Sequence, residues 1–320
     1  MTNSASEKPS EFALIAKLFA PLSKSAPGAF GLTDDAAVIA PPPGHELVVT
    51  TDALVEGVHF RSDDPPDTIA KKALRVNLSD LAAKGADAIG YLLAISLLKQ
   101  LDMLWLEAFA KGLSGDQVRF GVSLYGGDTT STPGPLTLAV TAFGSVPMGH
   151  MIRRNGAKVG DLVFVSGTIG DAGGGLHNAK SDYLVNRYRV PEPRMALGRA
   201  LRGIASAALD VSDGLLADLG HIAETSKVKI RVEAARIPRS RELRAMADTL
   251  DAIVQAATAG DDYEIAFTAP EAKRAAVDAA ARDAKIPVTE IGRVEEGGGV
   301  SLIDANGNDV PVASPGYVHF

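Results

Sequence analysis

Cysteine is absent from this 320-residue chain. Disulfides, zinc–thiolate sites and thiol nucleophiles are therefore excluded from within it. Long apolar runs are missing too, because no stretch approaches the ~20 residues that cross a bilayer. The polar N-terminal segment, Met1–Ser10, also lacks the basic start and apolar run of a secretion signal. We therefore expect a cytoplasmic protein with no membrane partner.

Positive charge is scarce as well, since 32 Lys and Arg stand against 39 Asp and Glu and the formal net charge is -7. A nucleic-acid-binding surface needs clustered Lys and Arg to replace the counterions of the phosphates. The chain has no dense basic run. We expect no nucleic-acid partner, although an acidic protein can still bind phosphates where metal ions mediate.

Length and composition indicate an ordinary globular protein, with 46% hydrophobic and 22% charged residues. A chain this long exceeds the usual extent of one hydrophobic core, which favours two domains of roughly 150 residues. The segment Pro147–Lys158 holds Pro, Gly, Arg and Asn between two strand-like runs. We predict the domain junction there, with domains at 1–150 and 151–320.

Short apolar or β-branched runs alternate with helical periods along the chain. The predicted strands are Leu47–Thr51, Tyr91–Leu97, Leu136–Phe143, Leu162–Val165 and Tyr263–Phe267. The predicted helices are Asp67–Gly85, Asp102–Leu113, Gly214–Ser226 and Glu271–Ala284. The glycine-rich segment Gly167–Gly175 does not have the spacing of a dinucleotide-binding fingerprint, and we predict a mobile or tightly turning loop.

Aspartate recurs in short contexts that lie after apolar strands, at strand ends or beside glycine. These are Asp34-Asp35, Thr50-Thr51-Asp52, Asn77-Leu78-Ser79-Asp80, Gly126-Gly127-Asp128-Thr129, Asp210-Val211-Ser212-Asp213-Gly214 and Gly260-Asp261-Asp262-Tyr263-Glu264. A loop there can bring backbone and carboxylate close to a ligand. Oxygen ligands without His or Cys select hard cations, and magnesium combines a few carboxylates with substrate phosphates. The pattern therefore predicts magnesium together with a nucleotide.

Each of these aspartates also has a structural alternative, because Asp and Gly are common turn residues and Asp caps helices. The other familiar catalytic signatures are absent from the sequence. It has no Gly-x-Ser-x-Gly elbow, no Gly-x-x-x-x-Gly-Lys-Ser/Thr loop, no His-Arg-Asp kinase signature and no His-Glu-x-x-His pair. The residues alone leave the choice between turns and a magnesium–phosphate site open.

Taken in order, these segments resemble the thiamine-monophosphate kinase family, within the superfamily named for aminoimidazole ribonucleotide synthetase. The resemblance runs from about Phe12 to Phe320. Its sharpest parts are Thr50–Phe60, Asn77–Gly85, Gly126–Thr129, Asn155–Asp161, Asp210–Leu215 and Gly260–Glu264.

The resemblance implies an α+β, two-domain aminoimidazole ribonucleotide synthetase-like fold, with mixed sheets and helices packed on one face. Residues 1–150 would bind ATP and magnesium and form a homodimer, and residues 151–320 would complete the active site. The implied reaction transfers the γ-phosphate of ATP to thiamine monophosphate, giving thiamine diphosphate, with several Mg²⁺ ions present. Direct in-line transfer suffices, because the acceptor phosphate is already ionised near neutral pH and needs no general base.

The resemblance also implies roles for individual residues. Magnesium would be held by Asp34, Thr50, Thr51, Asp52, Asp80, Asp128, Asp210 and Asp213. ATP would contact Gly127, Asp128, Arg154 and Ser212, and thiamine monophosphate would contact His59, Asp261 and Tyr317. Thr33, Asp261 and Tyr317 depart from the family pattern, which usually has Gly, Glu and Trp at these positions.

Other functions remain as alternatives. A relative in the same superfamily phosphorylates an amide oxygen in purine synthesis, but the run Val55–Phe60 favours the thiamine branch. The selenophosphate and hydrogenase-maturation branches rely on cysteine or selenocysteine, and this chain has no cysteine. A non-catalytic nucleotide-binding module is the alternative from another class, and the presence of every candidate metal acid argues against it.

Overall fold

The computed structural model describes residues 11–99, 103–177 and 180–318. Segment Met1–Ser10, the predicted helix start at Asp102 and the terminal Phe320 lie outside these residues. The chain divides into two compact units. The first holds the described residues up to Pro42 with Val49–Leu74 and Ala88–Phe143, and the second holds Pro43–Val48, Arg75–Asp87 and the described chain from Gly144 onward.

Strands and helices alternate through both units. The strands are β1 (His45–Val55), β2 (Asp87–Leu98), β3 (Ser123–Thr132), β4 (Thr137–Pro147), β5 (Leu162–Ser166), β6 (Ala207–Asp210), β7 (Lys229–Glu233), β8 (Ile265–Ala269), β9 (Val288–Glu295) and β10 (Gly299–Ile303). The helices are α1 (Glu11–Leu14), α2 (Pro66–Ala83), α3 (Met103–Phe120), α4 (Asp171–His177), α5 (Asp182–Arg189), α6 (Met195–Ala200), α7 (Leu215–Ser226), α8 (Arg241–Met246), α9 (Leu250–Thr258) and α10 (Arg274–Ala284). No helix of the described residues has both the length and the apolar character to cross a membrane.

The predicted strands and helices are present in the structure, but several of their ends differ. The larger differences include those at α3, which continues to Phe120, at β2, which begins at Asp87, and at β4, which continues to Pro147. Strand β8 begins at Ile265, two residues later than predicted, because Asp261 and Tyr263 adopt left-handed backbone conformations that a strand does not use. The predicted helix from Glu271 opens with a 3₁₀ turn at Glu271–Lys273 before α10 begins.

One sheet has the strand order β1-β4-β2-β3. Strand β3 lies at its edge and pairs in parallel with β2, with a register irregularity between Tyr91 and Leu92. The sequence did not predict this strand, because it contains the Gly126-Gly127-Asp128 element, which is more typical of a loop. The element therefore lies within an edge strand.

The second sheet is mixed and has the order β10-β7-β9-β5-β8-β6. Its pairs β5–β8, β5–β9, β6–β8 and β7–β9 are antiparallel, whereas β10–β7 is parallel. These mixed sheets with helices confirm the predicted α+β class.

Helices pack on both faces of this second sheet, whereas the prediction placed helices on one face. Val163 and Val165 of β5 lie in one core cluster with residues of α7 and α9. Leu162 and Phe164 lie in another with residues of α6 and α10. Every residue of β5 is buried. Helices thus cover both faces, which explains the uninterrupted apolar run in its sequence.

The predicted loop at Gly167–Gly175 also differs from the structure, because the second half of this segment forms the start of helix α4. The glycines there allow close packing rather than mobility. A Cβ at Gly175 would lie 2.0 Å from the carbonyl oxygen of Leu184, and one at Gly173 would lie 2.5 Å from the Cβ of Ala259. Helix α4 therefore depends on glycine to approach α5.

Candidate phosphate and metal site

In the first unit, three of the predicted ligand residues line one cavity. Asp34, Gly127 and Asp128 border a space of about 740 Å³, whose remaining wall is largely apolar and includes Phe19 and Leu124. Asp34 follows the 3₁₀ turn Pro27–Leu32, and Asp128 lies on β3. The cavity therefore joins two separate acidic segments, with both carboxylates exposed to solvent.

Gly127 is required for the close pairing of β3 with β2. A Cβ at this position would lie 1.8 Å from the carbonyl oxygen of Leu93, closer than any real contact. By contrast, Thr33 takes φ −110° and ψ −2°, which any residue can adopt. The departure at Thr33 therefore causes no backbone strain.

Thr50, Thr51 and Asp52 lie inside β1, which continues to Val55, and not at a strand end as the sequence suggested. The Thr51 hydroxyl donates to the carbonyl oxygen of Val140 at 3.1 Å. Strand β1 lies at the opposite edge of its sheet from β3. These three residues do not line the cavity that contains Asp34 and Asp128.

His59 lies in the turn after β1, also in the first unit. Its Nδ1 accepts the backbone N–H of Val55 at 3.0 Å, and its carbonyl oxygen accepts the Nζ of Lys72 at 2.8 Å. Lys72 is 2% exposed. The buried lysine and the imidazole therefore fix the conformation of this turn.

In the second unit, Asp80 on α2 and Asp210 at the end of β6 form an acidic pair next to Lys84. Burial raises the pKa of Asp210 well above its ordinary value, and the negative charge of Asp80 raises it further, while Ser79 and Lys84 oppose the shift. Burial also lowers the pKa of Lys84, whose Nζ donates to the carbonyl oxygen of Ala208 at 2.8 Å. The pair lies in an environment that disfavours two negative charges.

The turn after β6 carries Ser212 and Asp213, which are half-buried. Asp218, in the first turn of α7, is 3% exposed and accepts the backbone N–H groups of Ser212, Asp213 and Gly214. Burial raises the pKa of Asp218 to about 7, and the charge of Asp213 adds to this, while the three N–H donors oppose it.

Backbone hydrogen bonds connect this turn to two predicted substrate residues. The N–H of Asp261 donates to the carbonyl oxygen of Ser212 at 2.7 Å, and the N–H of Tyr317 donates to that of Asp213 at 2.8 Å. The Tyr317 side chain is 51% exposed. The second unit thus brings Ser212, Asp213, Asp261 and Tyr317 together.

Arg154, the predicted ATP-binding arginine, is exposed, and its positive charge contributes to the lowered pKa of Lys84. This places a second cation beside the acidic pair of Asp80 and Asp210. The sequence prediction missed Lys84, which lies in the turn directly after α2 and whose backbone N–H donates to the carbonyl oxygen of Asp80, four positions earlier, at 3.1 Å. It also missed Asp218, which lies one turn into α7.

The residues of the second unit suit a hard cation. The candidate donors Asp80, Asp210 and Asp213 offer carboxylate oxygens, which magnesium prefers. Burial raises the pKa of Asp210 and the charge of the half-buried Asp80 raises it further, so a bound cation would stabilise the ionised carboxylate. The donor set therefore fits magnesium.

Several known proteins are similar to this chain in sequence and in fold. The family model described as AIR synthase related protein, N-terminal domain, matches residues 33–146, and the corresponding C-terminal model matches residues 158–305. A thiamine-monophosphate kinase from Caulobacter vibrioides is 44% identical, over 98% of this chain and 92% of that protein.

Two solved structures are similar as well. The thiamine-monophosphate kinase from Stenotrophomonas maltophilia K279a has a TM-score of 0.80 at 43% identity, covering 87% of this chain and 91% of that one. AaThiL complexed with AMPPCP and TMP has a TM-score of 0.77 at 31% identity, covering 92% of this chain and 97% of that one.

Proposed function

The chain belongs to the thiamine-monophosphate kinase family, and from this premise we propose that it transfers the γ-phosphate of ATP to thiamine monophosphate. The observation that carries this proposal is the acidic group of the second unit. There Asp80 and Asp210 lie beside Lys84, and hydrogen bonds connect the following turn to Asp261 and Tyr317. Such a group suits two phosphorylated substrates that require charge neutralisation and positioning.

The proposal assigns magnesium to residues of both units that offer carboxylate or hydroxyl oxygens. In the first unit these are Asp34, Thr50, Thr51, Asp52 and Asp128, and in the second they are Asp80, Asp210 and Asp213. Bound magnesium would supply charge neutralisation between the phosphate groups. Among the residues themselves, Arg154 offers a planar donor fork to ATP phosphates, and the backbone at Gly127 allows close approach of a ligand.

Substrate recognition is assigned to His59, Asp261 and Tyr317. Asp261 is one methylene shorter than the usual glutamate, so its carboxylate reaches less far from its backbone. Tyr317 offers an aromatic ring that can face the cationic thiazolium. The proposal includes direct in-line transfer without a phosphoenzyme, which inverts the configuration of an isotopically chiral γ-phosphate, whereas a phosphoenzyme would retain it.

The proposal also includes a cytoplasmic location and a homodimer. Leu47 and Val49 on β1 support the homodimer, because these apolar side chains are 39% and 55% exposed on alternate positions of an edge strand. A second subunit would cover them. We retain residues 1–150 and 151–320 as the proposed domains.

The experiment that tests the function is a substrate panel with ATP and Mg²⁺. We expect ADP release with thiamine monophosphate and background release with thiamine or an aminoimidazole ribonucleotide precursor. Strong release with the aminoimidazole precursor alone would favour the purine branch. Binding of ATP without turnover of any substrate would favour a non-catalytic module.

A further inference from the structure

Two buried carboxylates, those of Asp218 and Glu264, lie next to the proposed ligand residues of the second unit. Each one holds a different part of the backbone that carries those residues. We propose that Asp218 positions Ser212 and Asp213 for nucleotide and metal, and that Glu264 positions Asp261 for the phosphorylated substrate. The proposed function assigns neither carboxylate as a ligand. The inference rests on the proposed function for the identity of the ligands.

Asp218 organises the turn after β6 with a single oxygen atom. Its Oδ2 accepts the N–H groups of Ser212 and Asp213 at 3.0 Å each and that of Gly214 at 3.2 Å. Three successive N–H groups can converge on one acceptor only if the chain curls around it. The backbone of both ligand residues therefore depends on this buried oxygen.

Ordinary helix capping does not account for this arrangement. Gly214 is the N-cap of α7, and an acidic side chain in the first turn commonly accepts the N-cap N–H. Ser212 and Asp213, however, precede the cap. Their bonds to Asp218 shape the turn outside the helix, where the proposed ATP and metal residues lie.

Glu264 is held on all sides by polar partners. Its side chain is fully buried and accepts Arg187 Nη2 at 3.0 Å, Arg194 Nε at 2.6 Å and the Ser166 hydroxyl at 2.6 Å. A Cβ at Gly167 would lie 2.1 Å from Glu264 Oε1, so glycine is required beside the carboxylate. The carboxylate is therefore held by three elements of the chain.

This anchor fixes a strained segment. Asp261 and Tyr263 have φ values of 64° and 52°, a left-handed conformation that is uncommon outside glycine. Such strain persists only where the surroundings hold it, and it concentrates at functional sites. Backbone bonds from Asp261 to Ser212 and between Val211 and Glu264 connect the strained segment to the turn after β6.

Burying a carboxylate with two guanidinium groups is a poor way to gain stability, because well-packed apolar residues often stabilise as much. The cluster instead restricts the segment to one conformation. Arg187 reinforces this, since its Nη2 also donates to the carbonyl oxygen of Asp262 at 3.1 Å. Loss of the Glu264 charge should therefore release Asp261 from its strained position.

The test compares Asp218→Asn with Glu264→Gln. For Asp218→Asn we expect the Mg²⁺ activation constant and the KM for ATP to rise roughly tenfold or more, with the KM for thiamine monophosphate changing less than about threefold. For Glu264→Gln we expect the KM for thiamine monophosphate to rise roughly tenfold or more, with the Mg²⁺ activation constant and the KM for ATP changing less than about threefold. Calorimetric titration with thiamine monophosphate gives a readout independent of turnover, and affinity should fall only in Glu264→Gln.

Matched controls separate positioning from general destabilisation. Val277→Ala removes a core contact on α10, and Ser240→Ala removes the N-cap bond of α8. Both should lower the melting temperature while all three kinetic constants stay within about twofold of wild type. If the two carboxylate variants change all constants in parallel, or behave like the controls, the proposal is overturned.

A milder variant keeps the test decisive if Glu264→Gln does not fold. Arg194→Lys retains the positive charge but loses the forked contact with Glu264, so the KM for thiamine monophosphate should still rise selectively. A folded Arg194→Lys with an unchanged KM would contradict the role of Glu264. If the wild-type chain neither binds nor phosphorylates thiamine monophosphate, the proposed function itself fails, which the wild-type assay reveals separately.

Discussion

Among individual residues, the proposed metal carboxylates lie in contrasting surroundings. Asp210 is 8% exposed, whereas Asp34 and Asp128 are exposed. Substituting a buried carboxylate changes packing and local charge balance together. Asp128 can be substituted with little structural consequence, so its variant reports on chemistry.

We expect Asp128→Asn to lower kcat about 100-fold or more, because it removes a charge that balances bound metal. The melting temperature without ligands should not change. Asp63→Asn is the matched control, since Asp63 is another exposed acid of the first unit, paired with Arg61 at 3.2 Å, and it should retain normal kcat. Steady-state rates at limiting Mg²⁺ measure both variants, and near-normal turnover in Asp128→Asn would contradict its role as a metal ligand.

Tyr317→Ala should raise the KM for thiamine monophosphate roughly 3- to 30-fold, since a ring facing a cation is worth about 0.5 to 2 kcal/mol. The KM for ATP should stay nearly constant, and Tyr317→Trp should restore binding. The backbone bond from Tyr317 to Asp213 does not involve the side chain and should survive. A lower melting temperature with both KM values unchanged would show instead that the ring only anchors the chain end.

Asp262 should make stability depend on pH. Burial raises its pKa to about 8, against the opposing N–H donors of Gly170 and Ala172 and the charge of Arg187. A raised folded-state pKa contributes stability that is complete below the unfolded pKa and is lost as pH rises through about 8. Wild type should therefore lose about 1.4 kcal/mol through this group between roughly pH 7 and pH 9.

Urea unfolding at these two pH values checks this prediction against Asp262→Asn, which cannot ionise. The wild-type free energy of unfolding should fall by about 1.4 kcal/mol more than that of the variant. Equal pH dependence in the two proteins would mean that Asp262 does not titrate in this range.

Some secondary structure elements could be predicted from sequence patterns, and others could not. The apolar run Leu162–Val165 predicted β5 correctly, because a strand covered on both faces needs no polar positions. Strand β3 and helix α4 were missed, since glycine favours turns locally. In both elements glycine serves close packing, against Leu93 and Leu184 respectively, and that need becomes visible only in three dimensions.

The same distinction applies to the candidate site. The four-residue spacing of Asp80, at the end of α2, and Lys84, directly after it, was readable from the sequence. Their association with Asp210, on a distant strand, depends on the tertiary fold. Asp218 resembled an ordinary helix residue, because the curled turn just before α7 that supplies its N–H donors is visible only in the structure. Glu264 resembled an ordinary strand residue, because its arginine partners come from a distant segment.

Strand β3 offers a test of this packing. Gly127→Ala should lower the free energy of unfolding by about 2 kcal/mol or more, because the added Cβ would overlap the carbonyl oxygen of Leu93. Gly134→Ala is the matched control after the same strand, where the nearest atom is 3.5 Å away. Chemical denaturation measures both, and equal stabilities would contradict the close pairing of β2 and β3.

Across the whole molecule, the acidic balance and the proposed reaction are consistent. The chain carries a net charge of -7, yet its substrates would both be anionic. Binding them requires cations at the acidic residues, because Coulomb repulsion would otherwise oppose it. We therefore expect the chemistry to depend on metal, and chelation with EDTA should abolish turnover while the folded chain remains.

The most direct measurement follows the γ-phosphate of radiolabelled ATP in the presence of Mg²⁺ and thiamine monophosphate. The label should appear in the terminal phosphate of thiamine diphosphate, separated by chromatography, with one ADP formed for each labelled product. Free thiamine in place of thiamine monophosphate should remain unlabelled. Label found only in inorganic phosphate, or equal labelling of free thiamine, would contradict the proposed phosphate acceptor.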